Sequence, residues 1–178
     1  MAYNIDSSHW LVEFSVKHMM VTTVKGRFTR FQGDVEINET TPADSKVDVV
    51  IETASVTTGD ENRDKHLRSG DFFESEKYPT ITFHSKQVEP LGNETYRVTG
   101  DFTMHGVTRA LTFDITREGV TKNMKGEALH GFSGALTISR KDFGLEWNVA
   151  LESGGWLVSD QVKISLEVEV VDKAAVAA

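Results

Sequence analysis

The sequence predicts an all-β fold, an extended antiparallel β-barrel of about eight strands with one short helix near residues 59–69. Three observations lead there. Val162, Ile164, Leu166, Val168 and Val170 alternate with Gln161, Lys163, Ser165, Glu167 and Glu169. That is ten residues of period two, the mark of a strand with one dry and one wet face. The same alternation recurs along most of the chain. The connections between these runs are short and turn-rich (Leu91-Gly-Asn-Glu, His105-Gly, Glu118-Gly), as in a meander of antiparallel neighbours. About eight such strands commonly close, leaving an interior that side chains fill or that holds one small ligand.

The first strand covers about 9–20, with Trp10, Val12, Phe14 and Val16 on one parity. The second, about 25–37, slips: Phe28 is even, whereas Phe31, Val35 and Ile37 are odd. A one-residue slip puts side chains on the wrong face, so a bulge or sharp bend is expected between Phe28 and Phe31. Residues 46–52 follow, with Val47, Val49 and Ile51 inward. The helix comes next. Thr58-Gly-Asp-Glu61 reads as a capping box and Gly70 as a C-terminal stop. Its only apolar anchor is Leu67, so it is expected across one end of the barrel or on its surface. Further strands run over 80–88 (Ile81, Phe83 inward), 96–104 (Tyr96, Val98, Phe102, Met104), 107–117 (Leu111, Phe113, Ile115) and 131–140 (Phe132, Leu136, Ile138). A less regular strand surrounds Trp147 and Val149, and the alternating run closes the series. The domain is read as 1–172, with a frayed tail at 173–178.

Composition sets limits on function. The 178 residues suffice for one core without staples, and there is no cysteine to make a disulfide, a thiolate metal site or a thiol nucleophile. The net charge of −8 argues against nucleic acid and against electrostatic docking on anionic lipid. The first residues show no basic and apolar leader pattern, which gives a cytoplasmic expectation. Two Asn-x-Thr sequons, at Asn38 and Asn93, carry little weight without such a leader.

Candidate chemistry begins with polar residues on inward parity at strand ends. His18 continues the Trp10 series, Arg140 continues Phe132, Leu136 and Ile138, and Arg109 precedes Leu111. Such a rim would fix the head of an apolar ligand; equally, strand ends are solvated places. The cluster Asn62, Arg63, Asp64, His66, Arg68 and Asp71 reads as a surface helix tied down by salt bridges, or as an anion-binding lid. The six histidines form no metal-binding spacing, and no nucleophile elbow occurs, so neither metal nor cofactor is expected. Ten Phe, three Trp and three Tyr are spread over many strands and fit a packed core or a lined cavity alike.

Several segments together resemble the YceI-like family of polyisoprenoid-binding, lipocalin-like barrels. They are Val16-Lys-His18-Met19, Val24-Lys-Gly26-Arg-Phe28, Ser55-Val-Thr-Thr58 and the block Arg63-Asp64-Lys-His66-Leu67-Arg-Ser-Gly-Asp71-Phe72-Phe73. Tyr78-Pro79-Thr-Ile-Thr-Phe83, Gly100-Asp-Phe-Thr-Met-His105-Gly106-Val-Thr108-Arg109 and Arg140-Lys-Asp142-Phe143-Gly144 follow in family order. The resemblance implies an extended barrel around a long apolar tunnel for an isoprenoid or other lipid chain, in a family often dimeric and often exported. The resulting expectation is a lipid carrier without catalysis, exchanging its cargo transiently with membranes. Its ligand contacts are expected at Phe14, His18, Phe28, Phe72, Phe83, Phe102, Phe132, Arg140, Trp147 and Ile164. The rival is an enzyme acting on a small amphiphile through His18, Arg140 or the 62–71 cluster.

Overall fold

The computed structural model describes residues 2–5 and 9–172. Among them eleven strand segments pair antiparallel in one sheet. These are β1 (Ala2–Ile5), β2 (Leu11–His18), β3 (Thr22–Phe28), β4 (Phe31–Glu36), β5 (Lys46–Glu52) and β6 (Val56–Thr57), then β7 (Thr80–Gly92), β8 (Thr95–Met104), β9 (Val107–Lys122), β10 (Ala128–Ser139) and β11 (Gln161–Asp172).

Eleven segments make eight staves. β1 and β2 lie end to end along one edge of β11, β2 against Lys163–Glu167 and β1 against Val170–Asp172. β3 pairs with β2 and β4 with β1, so β3 and β4 form the next stave, with the break between them. β4 hands on to β5, and the ladder continues through β7, β8, β9 and β10 back to β11. The sheet therefore closes, which removes the exposed edges an open sheet would leave.

The break falls where the parity slips. Phe28 pairs with Val56, but Phe31 pairs with Ile51. Between them Thr29 N–H donates to the Ser55 carbonyl at 3.2 Å, and the Arg30 carbonyl accepts from Glu52 N–H at 2.9 Å. Both Phe28 and Phe31 thereby turn inward onto one apolar cluster. A second irregularity, between Ser85 and Gln87, was not legible. It lets Phe83 and Val88, of opposite parity, line the same interior.

The helix, α1 (Glu61–Arg68), differs from its expected boundaries. Asp60 is the N-cap, accepting from Arg63 N–H at 3.0 Å. Thr58 instead donates through its backbone N–H and hydroxyl to buried Asp64, at 2.8 and 2.6 Å. The helix ends at Ser69 in extended geometry, and Gly70 has no left-handed backbone. The stop is a polar cap, Ser69 Oγ donating to the His66 carbonyl at 2.6 Å, rather than a glycine. The strand expected around Trp147 and Val149 is also absent. Residues 144–160 form a loop with only isolated bridges, Ala150 to Trp156 and Val158 to His18, because side-chain hydrogen bonds hold that backbone instead of a ladder. The tail expected to fray, 173–178, lies outside the described residues.

Two apolar clusters sit inside. One surrounds Phe28, Phe73, Met104 and Phe143 at the α1 end. The other surrounds Tyr3, Val35 and Val170 at the opposite end. The interior between them is hollow.

Candidate functional site

The hollow is a cavity of about 900 Å³, near the upper end of the range that ligand pockets usually occupy. All five alternating residues of β11, from Val162 to Val170, line it. The flanking staves β2 and β10 add Phe14, Phe132 and Leu136, and β7 and β8 add Phe83 and Phe102. Apart from Val170, these inward side chains are only partly buried, although they point away from bulk solvent. In a packed core they would be fully covered, as Val98 and Phe143 are. Strand curvature sets the barrel's width, and these aromatics coat the wall without filling it. Gly26 contributes locally: the Phe14 ring lies across it, and a Cβ there would meet Phe14 Cζ at 2.4 Å.

All ten residues named from the sequence line this cavity: Phe14, His18, Phe28, Phe72, Phe83, Phe102, Phe132, Arg140, Trp147 and Ile164. They do not share one character. Arg140 is 3% exposed. Its guanidinium donates to the carbonyls of Leu145 (2.7 Å), Ser159 (2.9 Å), Trp147 (3.0 Å) and Val158 (3.4 Å). Burial pushes its pKa down, and the charge of Asp160 opposes that. The reading of Arg140 as a headgroup contact at a free mouth is therefore corrected. It is a staple, and four of its five N–H donors go to fixing the 144–160 loop across the barrel end. Arg109 is corrected too. It is exposed, outside the cavity lining, and donates to the Asp142 carbonyl at 3.3 Å.

The 62–71 cluster divides. Asp64 is buried under its hydrogen bonds from Thr58, and Arg63 donates to Thr58 Oγ1 (2.7 Å) and the Thr58 carbonyl (3.0 Å). These residues latch the helix to the preceding strand. Asn62, His66 and Leu67 reach the cavity. His66 Nε2 lies 2.8 Å from Asp71 Oδ2, and its ring stands edge-on to Phe72 and Trp147 at 5.1 and 4.7 Å. His18 closes the same rim, beside Leu157 and Val158. Among the described residues no group of three His, Asp or Glu is placed to hold a metal ion.

The opposite end carries residues that the sequence reading left out. Arg117 lines the cavity with Glu94 and Glu39, donating to Glu94 Oε2 at 2.5 Å and Glu39 Oε1 at 2.9 Å. The signal was present, because Arg117 continues the inward series Leu111, Phe113, Ile115. Its partners were not legible, since Glu39 is 78 residues away. Near them Tyr3, 1% exposed, meets His130 edge-on at 5.0 Å and packs with Val35 and Val170.

The YceI-like domain model matches residues 3–170. A UPF0312 protein of Staphylococcus epidermidis is 40% identical over 170 residues, 94% of this chain and 95% of that one. The chain belongs to the YceI-like family. Among solved YceI-like neighbours, Burkholderia cenocepacia BcnA superposes with a TM-score of 0.78 at 26% identity, covering 93% of this chain and 99% of that one. A polyisoprenoid binding domain from Saccharophagus degradans superposes with a TM-score of 0.69 at 20% identity, covering 95% and 97%. At that identity the second likeness speaks for the YceI-like fold alone.

Proposed function

We propose that this protein binds the long apolar chain of an isoprenoid-type lipid in its barrel cavity and carries or sequesters it without chemical change. The observation that carries the reading is the 900 Å³ hollow whose wall is partly exposed Phe, Leu, Ile and Val, with polar groups confined to its two ends. The isoprenoid class is taken by analogy from the polyisoprenoid binding domain that shares the fold, and the cavity wall is compatible with it. Each five-carbon unit moved from water into such a wall gains roughly 4 kcal/mol, at about 0.8 kcal/mol per carbon. Moved from a bilayer it gains almost nothing, because lipid tails are as apolar as the wall. Shape fit and one polar contact at the rim then suffice to set the exchange, and neither metal nor cofactor is needed. His18 and Asn62 are polar side chains on that rim placed to meet a headgroup, beside His66, which is held to Asp71.

Native mass spectrometry of gently purified protein, followed by lipid extraction, tests this. The expected result is a one-to-one complex with a long-chain lipid, re-formed when emptied protein is titrated with geranylgeraniol and followed by tryptophan fluorescence. A saturable polar substrate that is converted to product, with no uptake of geranylgeraniol, would overturn it.

A further inference from the structure

Three hairpins here turn through two successive left-handed residues: Asn93-Glu94, His105-Gly106 and Met19-Met20. That geometry favours Asn, Asp and Gly. The first two follow the rule in part. The β2–β3 turn places methionine at both positions, with φ of 51° and 62°, and Val21 after them. Packing does not account for the choice, since Met19, Met20 and Val21 are 50%, 65% and 78% exposed.

These residues are not alone. Met19 N–H donates to the Leu157 carbonyl at 2.8 Å, Met20 Sδ lies against Gly155, and Leu157 N–H donates to the Val149 carbonyl. Trp156, 55% exposed, and Val149, 46% exposed, therefore sit beside the turn. His18, Leu157 and Val158, between them, line the cavity. The five exposed side chains form an apolar lip on the cavity's rim.

Resting on the cavity reading above, we propose that this lip docks on the surface of a neutral lipid bilayer, with the Met19-Met20-Val21 tip and Trp156 inserted at the headgroup level. A projecting apolar tip and a half-exposed tryptophan suit that depth. The charge nearby fixes the kind of membrane. The 144–160 loop carries Glu146, Glu152 and Asp160 and no lysine or arginine, and these three acids outnumber Lys17, the cation on the turn's own strand nearest the tip, so anionic lipid gains no net attraction. A second copy of the chain is the poorer occupant. Five such side chains offer on the order of 500 Å², less than the roughly 800 Å² per partner of a standard interface. A copy bound there would also cap the rim, whereas a bilayer covers it and supplies the apolar chain.

The test is flotation of emptied protein with phosphatidylcholine vesicles, comparing the parent with Met19→Asn/Met20→Gly and with Trp156→Ser. The double variant restores the residues this turn prefers, so its melting temperature should hold or rise. Both variants should lose vesicle partitioning by about tenfold or more, with geranylgeraniol uptake from solution unchanged. A parent that does not float, or variants that float equally well, overturns the docking proposal; retained geranylgeraniol uptake then leaves the cavity reading standing. Flotation with no uptake has the opposite meaning, with docking upheld and the cavity reading lost. A parent that is dimeric by sedimentation, monomeric as either variant, and does not float assigns the lip to a second copy and defeats the proposal.

Discussion

The two ends of the barrel are closed by different physics. At the far end the ladder itself closes the ring, because β1 pairs with both β11 and β4. Tyr3 and His130 meet there, Val35 and Val170 pack around Tyr3, and Arg117 ties β9 to Glu94 and Glu39. At the other end no stave crosses. A two-turn helix and a loop of seventeen residues (144–160) cover the bore, held by hydrogen bonds that Arg140 and Asn148 donate and that Asp64 accepts from Thr58. A closure of ladder and packed side chains opens only with the barrel. A closure hung on a few side-chain hydrogen bonds can open locally at lower cost. On the binding reading proposed above, the α1 end is the expected route for a ligand.

The largest effect should follow from Arg140→Met. It leaves the carbonyls of Leu145, Trp147 and Ser159 without their side-chain donor, while Val158 keeps Asn148, and a lost buried network of charged hydrogen bonds costs roughly 3–5 kcal/mol. Chemical denaturation measures it, and hydrogen exchange should show 144–160 opening before β8 and β9. Uniform loss of protection would break the contrast between the ends.

Phe102→Arg comes next. Phe102 lines the cavity and meets Phe143 edge-on at 5.3 Å. The barrel should stay folded, losing about 1–3 kcal/mol, because the long side chain can reach solvent through the hollow. Geranylgeraniol uptake should collapse, since an unpaired charge then sits in the apolar site. Retained uptake would show that the bound chain does not reach β8.

Arg117→Gln should do little. Arg117 bridges two half-exposed glutamates, and such pairs contribute less than about 1 kcal/mol. Uptake kinetics should be unchanged if passage belongs to the α1 end. Faster exchange in this variant would move the route to the far end.

The smallest effect is a pH effect at Asp160. Burial acts to raise its pKa, but hydrogen bonds from the Ser139 hydroxyl and Lys141 N–H, with the charges of Lys141 and Arg140, outweigh it and hold the carboxyl low. A depressed folded pKa gives stability that is complete above the unfolded value and lost as pH falls through the folded one. Thermal melts of the parent should therefore fall more steeply below about pH 4 than those of Asp160→Asn. Parallel curves would show that this carboxylate does not support the loop.

Legibility followed the range of the interactions. The β11 alternation, the slip between Phe28 and Phe31 and the single polar helix are consequences of neighbours within a few residues, and all could be read. The second slip, in β7, has little apolar pattern to reveal it, because Ser85, Lys86 and Gln87 are all polar. The short β1 and β6 escaped for a similar reason: four and two residues cannot show a period. Inward parity found Arg140 and placed it on the cavity wall, yet parity says nothing about what a guanidinium donates to. Its partners, Leu145, Trp147, Val158 and Ser159, come together only when the loop folds back.

The sequence by itself determined that this chain is an all-β barrel with a dry inner face, because period two is a local property of the chain and one buried face fixes register. It also held the motifs that mark a YceI-like protein. Only the tertiary structure decided that the inner face is a hollow with unlike ends. Closure sets the barrel's diameter independently of how much side-chain volume the inward positions supply, and the remainder of that volume is the cavity.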